Sequence, residues 1–304
     1  MSASAQPDPA ASFEPHRGSL LGLAYRMLGS RAEAEDAVQD AYLRWHAADR
    51  AAVEQPRAFL ARTVTRLCLD QLKSARLQRE EYIGPWLPEP LLDDAALAPD
   101  AASEYADDLS VALLLTLERL SPLERAAFLM HDVFDLDYPE VARTLRRSEE
   151  ACRQLASRAR SQVRRERPRF RPSAEESARL TQAFVMALGS GDIEGLKQVL
   201  ADDAVFYSDG GGKVPAALKP VRGAERIARF LTGLVRKPRI ARRLVSGPLN
   251  LRLASINGMP GILLYMAGRL AQTYALDIRD GRIAAVYVMR NPEKLARLQP
   301  AGQA

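Results

Sequence analysis

The chain has 304 residues, 47% of them hydrophobic, with 43 basic against 38 acidic side chains and a formal net charge of +5. That length allows two or three domains, and the basic balance suits a polyanionic partner. Cys68 and Cys152 lie far apart with no CxxC spacing, which excludes a disulfide framework or a cysteine zinc site, and the longest apolar runs, VALLLTL and ILLYMAG, fall short of the ~20 residues that cross a bilayer. The expectation is a soluble, cytoplasmic protein with no metal and no cofactor.

The first eleven residues are rich in Ala, Ser and Pro, without a basic start or an apolar centre, and read as a tail and not as a signal peptide. From Phe13 to Tyr82 apolar residues recur three and four apart, interrupted at Gly29-Ser30 and Gln55-Pro56, so this part is helical. In DAVQDAYLRW, Val38, Ala41, Tyr42 and Trp45 share one face, which leaves Asp36, Gln39, Asp40 and Arg44 outward and free for a partner. The helix beginning near Pro56 aligns Arg62, Arg66, Lys73 and Arg76 while Leu60, Val64 and Leu67 point elsewhere. With Arg57 and Arg79, that segment holds six bases against one acid, Asp70. Pro85, Pro88 and Pro90 then rule out a helix interior, because each lacks a backbone donor and its ring clashes with the preceding turn. This stretch is a linker, yet it carries Trp86, a large ring that needs a dock. From Glu89 to Asp108 the chain has seven acids and no base.

The next part opens with a helix through SVALLLTLERL. Ser121, Pro122 and Glu124 then supply a cap, a proline at the first helical position and a carboxylate three after the cap, starting a helix expected to run to about Phe134. PEVARTL follows as a short helix, and Arg146-Arg147-Ser148 as a turn. Ser148 caps a last helix whose Glu149 and Glu150 suit its positive end. On that helix Cys152, Leu155, Ala156, Ala159 and Val163 form one apolar stripe, opposite Glu149, Glu150, Arg153, Gln154, Ser157, Arg158, Ser161 and Arg165. From Pro139 to Arg171 there are eleven arginines against four glutamates, a local +7. Two short helices, a three-residue turn and a basic second helix describe a helix-turn-helix. Arg160 and Arg164, four apart, repel by a few tenths of a kcal/mol, a cost that phosphate contact would offset.

From about Ser173 the character changes. Helices over Glu175 to Leu188 and Ile193 to Leu200 lead into a short strand AVFYS, and a third helix covers Ala224 to Val235. The runs IARRLVS, NLRLASI, GILLYMA, LAQTYALDI and RIAAVYVM then read as strands. Helices followed by a strand meander predict an α+β fold with helices packed on one curved sheet. DGGGKV fails as a phosphate loop, since Val214-Pro215 follow the lysine, and its glycines are expected to admit another stretch of chain. This part holds no His and no Cys, which leaves Asp209, Tyr207, Tyr265, Tyr274 and Asp277 as polar groups for a pocket. A carboxylate beside tyrosines can abstract a proton, although tyrosines in sheets ordinarily pack. His16, His46 and His131 all fall in the helical parts, at surfaces or helix boundaries.

LLGLAYRMLGSRAEAEDAVQDAYLRW resembles the opening of region two of bacterial sigma factors of the extracytoplasmic-function type, and DYPEVARTLRRSEEACRQLASRARSQV resembles their region four. The two match in order and spacing over roughly residues 13 to 167. The remainder resembles SnoaL-like domains, and the combination is similar to a subgroup of these sigma factors in which such a domain is permanently fused. WLPEP, DGGGK and NPEKL look like that subgroup's three signature phrases, with Glu293 where an aspartate is expected.

The resemblance implies a multidomain chain. It places two all-α domains first, a sigma region 2 helical domain over 12–82 and a region 4 helix-turn-helix domain over 105–170, joined by a Pro-rich then acidic linker over 83–104. An α+β SnoaL-like, cone-shaped regulatory domain over 173–304 follows. It implies a non-enzymatic sigma factor that directs RNA polymerase core to promoter DNA through the largest subunit's clamp helices and the flap. Asp36, Gln39, Asp40 and Arg44 would meet the clamp. Arg62, Arg66 and Lys73 would hold melted promoter DNA, largely by backbone charge because Phe59 is almost the only aromatic there. Glu149, Glu150, Arg153 and Gln154 would face base edges, while Arg158, Arg164 and Arg165 would grip phosphates. The acidic connector would either mimic nucleic acid or act as a spacer. The fused domain would touch Trp86, Leu87, Pro88 and Glu89 through Asp209, Gly210, Gly211, Gly212 and Lys213, with Asn291 and Pro292 beside them. No membrane is involved, and a small-molecule ligand of the last domain stays open. Two rival readings are a free-standing helix-turn-helix regulator, which leaves the first seventy residues without a role, and an enzyme or small-molecule sensor seated in the SnoaL-like pocket.

Overall fold

The computed structural model describes residues 8–92, 108–166, 172–236 and 249–298. They divide into two compact units, the first built from residues up to 80 together with 108–166, the second from 81–92 together with 172–298. The proline-rich linker is therefore part of the second unit and not a free spacer.

In the first unit α1 (Pro9–Leu28) is capped by Asp8 and stops at Gly29, whose φ of 70° is the left-handed conformation that glycine adopts without strain. Ser30 caps α2 (Arg31–Ala47) by accepting from the Glu33 amide. α3 (Pro56–Glu80) completes the first group. Trp45 locks these helices together: it is fully buried, its ring lies 5.5 Å from Phe59, and its indole N–H donates to the Ser12 hydroxyl at 3.1 Å.

α4 (Val111–Glu118) and α5 (Pro122–Phe128) follow, the latter started by a reciprocal capping box between Ser121 and Glu124. The sequence predicts a regular helix to Phe134. Instead the chain widens into a π turn over Leu129–Val133, and Asp135 then takes a positive φ of 55°. The wide turn sets Asp132 against Arg160 of the last helix and His131 against Tyr138. α6 (Tyr138–Leu145) is capped by Asp137 and ends at Arg146 in the left-handed region, and α7 (Glu149–Glu166) begins where the Ser148 hydroxyl accepts from the Ala151 amide. Buried Arg125 joins the two helical groups. Its guanidinium donates to the Met27 carbonyl at the end of α1 and pairs with Glu118 at 3.1 Å.

The second unit is α+β. Three helices, α8 (Ala174–Ser190), α9 (Ile193–Val199) and α10 (Ala224–Arg236), accompany a six-stranded sheet in the order β2-β1-β6-β5-β4-β3. β3 (Leu249–Ile256), β4 (Met259–Met266), β5 (Arg269–Arg279) and β6 (Arg282–Met289) form the expected antiparallel meander. β1 (Leu200–Asp209) runs parallel to β6, with Phe206 opposite Val286, and is ten residues long where AVFYS suggests a short strand. The two-residue β2 (Val221–Arg222) sits at the far edge. The expected strand IARRLVS lies outside the described residues. Phe184, Leu196, Ile227 and Leu231 of the helices meet Phe206, Ile262, Leu276 and Val286 of the sheet in one core. A one-turn helix α11 (Pro292–Leu295), capped by Asn291, follows β6.

Candidate nucleic-acid interface and strap site

α7 divides as its sequence predicts. Cys152, Ala156, Ala159 and Val163 are buried, while Glu150, Arg153, Gln154, Ser157, Arg158, Arg164 and Arg165 are exposed on the opposite side, and Glu149 is half-buried. Glu150, Arg153, Gln154, Ser157 and Arg158 line one shallow groove on this face. Arg160 departs from expectation. Besides lying one turn from Arg164, it donates to Asp132 at 2.6 Å, a contact that raises its pKa. Its charge is thereby spent inside the unit.

On α2, Asp36, Gln39, Asp40 and Arg44 are all exposed. Leu43, absent from the sequence-derived set, is 56% exposed beside them. Its exposure follows from the failure of Leu43 to fit the buried stripe of Val38, Ala41 and Trp45.

α3 behaves differently from its open cationic stripe. Arg66 donates to the carbonyls of Arg143 at 2.8 Å and Thr144 at 3.3 Å, the unsatisfied acceptors at the end of α6. Arg62 lies 3.8 Å from buried Glu140, and Arg57 donates to the Phe134 carbonyl. Desolvation, then the charges of Arg146 and Arg62, depress the pKa of Arg66. Lys73 alone of the three predicted strand-binding cations is exposed, with Asp70 at 2.7 Å. Arg76 and Arg79 carry side chains outside the described set. The first unit is thus closed on itself, with region-two arginines held by the support helix of the helix-turn-helix.

In the second unit the three phrases meet. The Asp209 carboxylate, completely buried at the end of β1, accepts from the Tyr82 hydroxyl at 2.6 Å, the Leu87 amide at 2.9 Å, the Gly211 amide at 3.0 Å and the Lys294 ammonium at 2.8 Å. The same ammonium lies over the Trp86 ring at 4.4 Å and the Tyr82 ring at 5.0 Å, and donates to the Leu87 carbonyl. Asn291 donates from its amide group to Tyr82 at 3.0 Å. Leu87, Pro88 and Glu89 are buried, and Glu89 faces Arg297 at 3.9 Å. Further along, Leu91 exchanges hydrogen bonds with Asn257, and Leu92 forms an antiparallel bridge to Ile256. Residues 81–92 therefore lie on the domain as a strap.

The glycines permit this. Gly211 and Gly212 adopt φ of 60° and 71°; a Cβ on Gly211 would enter the Asn291 side chain, and one on Gly212 would come within 2.8 Å of Ile83. A Cβ on Gly210 would strike the Val214 carbonyl. Lys213 pairs with Glu293, so the substituted position of NPEKL keeps an acidic partner role, and Pro292 opens α11. Tyr82, Lys294 and Asn257 are the residues that sequence reasoning missed. Only Lys294 had a signal, its place inside NPEKL.

The pocket groups considered for proton chemistry are occupied elsewhere. Asp209 holds the strap, Asp277 pairs with Arg279 at 2.6 Å, Tyr207 stacks on Tyr287 at 5.4 Å, and buried Tyr274 accepts from Gln272. Burial raises the Tyr274 phenol to about 12. Tyr265 is half-buried on β4. Among the described residues no group of three or more metal-ligating side chains occurs, and no helix is long and apolar enough to cross a membrane.

A helical pair of DNA-binding groups followed by an α+β domain defines a class, and comparison with known proteins agrees. Residues 13–78 match the Sigma-70 region 2 family model and residues 110–163 the Sigma-70, region 4 model. The chain is 38% identical to the ECF RNA polymerase sigma factor SigJ of Mycobacterium tuberculosis, over 96% of this chain and 97% of that protein. It is 33% identical to the probable ECF sigma factor SigI of the same species, over 97% of each. The crystal structure of M. tuberculosis SigJ superposes with a TM-score of 0.72 at 34% identity, covering 94% of this chain and 98% of that one. The chain belongs to the extracytoplasmic-function RNA polymerase sigma factors. Its second unit is α+β, as the sequence predicts.

Two outcomes follow for the strap. Asp209→Ala leaves the Lys294 ammonium buried without its carboxylate and should cost about 3–5 kcal/mol of second-unit stability, read by urea unfolding. The Tyr82 phenol has a pKa raised by burial first and by Asp209 second. The folded unit therefore holds this proton more tightly than the unfolded chain, so its stabilisation is complete below the ordinary phenol value of 10.0 and is lost as pH rises through the folded value. Unfolding midpoints should fall as pH rises above 10.0 in the wild type, and Tyr82→Phe should reduce that fall, the buried Tyr274 phenol supplying part of what remains.

Proposed function

We propose that this sigma factor docks on the largest-subunit clamp helices of core polymerase through Asp36, Gln39, Asp40, Leu43 and Arg44, with region four meeting the flap. α7 enters the major groove of the farther promoter element. Glu149, Glu150, Arg153 and Gln154 face base edges there, and Arg158, Arg164 and Arg165 hold phosphates. Arg62, Arg66 and Lys73 neutralise the melted strand once α3 has released α6. The observation that carries the reading is α7 itself: one side is packed as a scaffold requires, and the other exposes an array of cations and amides that the unit leaves uncovered.

The working divisions are a region 2 domain over 12–82, a linker over 83–104, a region 4 domain over 105–170 and a regulatory domain over 173–304. The regulatory domain works by length. Residues 81–92 lie in the covalent path from α3 to α4, and docking them fixes the span of a segment whose contour is roughly 40 Å, at about 3.3–3.6 Å per residue, so that it can no longer adjust. Asp209 and the glycines of DGGGK, with Asn291 and Pro292, are in this account a clamp on the tether and not a catalytic site. The protein acts in the cytoplasm, without enzymatic activity or a cofactor.

Copurification with core polymerase and promoter-dependent transcription in vitro test the reading; failure to bind core overturns it. Arg153→Ala should relax base preference at one promoter position by about 1–3 kcal/mol, whereas Arg164→Ala should weaken binding on all sequences and lower the salt slope by about 1. Identical effects from both contradict the division of faces. Trp86→Ala should change transcriptional activity while leaving DNA binding by the helix-turn-helix unchanged.

A further inference from the structure

Arg153 is exposed, and a long cation on a helix surface ordinarily samples many rotamers, each a poor start for a two-pronged contact to a base edge. Here it is constrained from two directions. Its guanidinium donates to Glu149 at 2.9 Å, one turn back on α7, and its carbon centre lies 5.0 Å from the centroid of the Tyr138 ring. An exposed ion pair at that spacing fixes little alone. The ring is what distinguishes Arg153 from Arg158, Arg164 and Arg165, for which no aromatic contact occurs among the described residues.

Tyr138 is itself held. It is the first residue of α6, directly after the Asp137 cap, so its backbone is set by the helix start. Its ring packs on His131 with centroids 4.0 Å apart, and its hydroxyl adds to the raised pKa of Arg160, behind the Asp132 contact. Arg160 is anchored to Asp132 at 2.6 Å, and both Asp132 and His131 come from the π turn, where they would point elsewhere in a regular helix. His131 is tied back to the Leu136 carbonyl at 2.9 Å. None of these groups needs to touch DNA for the arrangement to have an effect on it.

We propose that Tyr138 is a positioning residue for promoter readout, a ring that pre-orients the Arg153 guanidinium for its base edge, held in turn by His131 of the π turn. The inference rests on the assignment of Arg153 as a base reader. It places specificity control outside the recognition helix, in the turn before it.

The test uses the full chain assembled with core polymerase, on promoters varied one base at a time through the farther element. Arg153→Ala should abolish discrimination at one position. Tyr138→Leu should reduce discrimination at that same position by about two- to fivefold, the worth of an exposed cation–ring contact, with the salt dependence of binding unchanged. Tyr138→Phe keeps the ring face and should restore discrimination. Adding Tyr138→Leu to Arg153→Ala should cost nothing further. Tyr138→Met, an unbranched side chain that adapts to irregular space, serves if the leucine variant does not fold. Full discrimination in both the leucine and methionine variants, an even loss on every promoter, or an additive double variant overturns the proposal while leaving Arg153 a reader. A silent Arg153→Ala instead removes the base-reading assignment, and the proposal with it.

Discussion

A buried carboxylate organises the second unit. Asp209 has no exposed surface and accepts hydrogen bonds from a phenol, two backbone amides and an ammonium. A charge so placed is costly to bury unless each acceptor site is filled and a cation lies alongside, and Lys294 and the strap supply those conditions together. The strap cannot leave without uncovering both the carboxylate and the apolar surface under Leu87 and Leu91. Domain and strap are thus one cooperative object, and the tether between the two DNA-binding groups has one end fastened.

The first unit shows why fastening matters. Arg57, Arg62 and Arg66 are engaged by backbone carbonyls and a glutamate of the helix-turn-helix group, and Arg125 bridges α1 and α4. The proposed reading of two separated promoter elements has these contacts open. Several are arginine–carbonyl bonds, each worth only about 1.5–3 kcal/mol, a scale that phosphate contacts on α3 can replace. In the proposed reading the closed unit and the docked strap both oppose separation of the two groups, and polymerase and DNA supply the difference.

How much of this was legible in the sequence depends on what signals a contact. The apolar stripe of α7, the exposed face of α2 and the order of helices and strands follow from periodicity, because burial of one face leaves a repeating pattern. Trp86 announced a dock by its size in a proline-rich stretch, and DGGGK announced close approach by having no side chains to obstruct it. The engagement of Arg62 and Arg66 was invisible, since Arg66 meets carbonyls at a helix end, which every sequence possesses, and Arg62 meets Glu140 from far along the chain. The π turn at Leu129–Val133 was equally hidden; its residues suit an ordinary helix, and only Asp132 meeting Arg160 and His131 meeting Tyr138 give it a purpose. The parallel pairing of β1 with β6 reflects a crossover that alternation cannot specify.

The most direct measurement of tether control is in vitro transcription by core polymerase and the full chain across a series of promoters in which the spacing between the two elements is varied. With Gly211→Ala, whose added methyl meets, in a strained backbone conformation, the Asn291 side chain that bonds Tyr82 of the strap, the strap should loosen and activity should persist at longer spacings than with the wild type. Superimposable spacing profiles, in a variant whose strap has become protease-sensitive, would contradict the account.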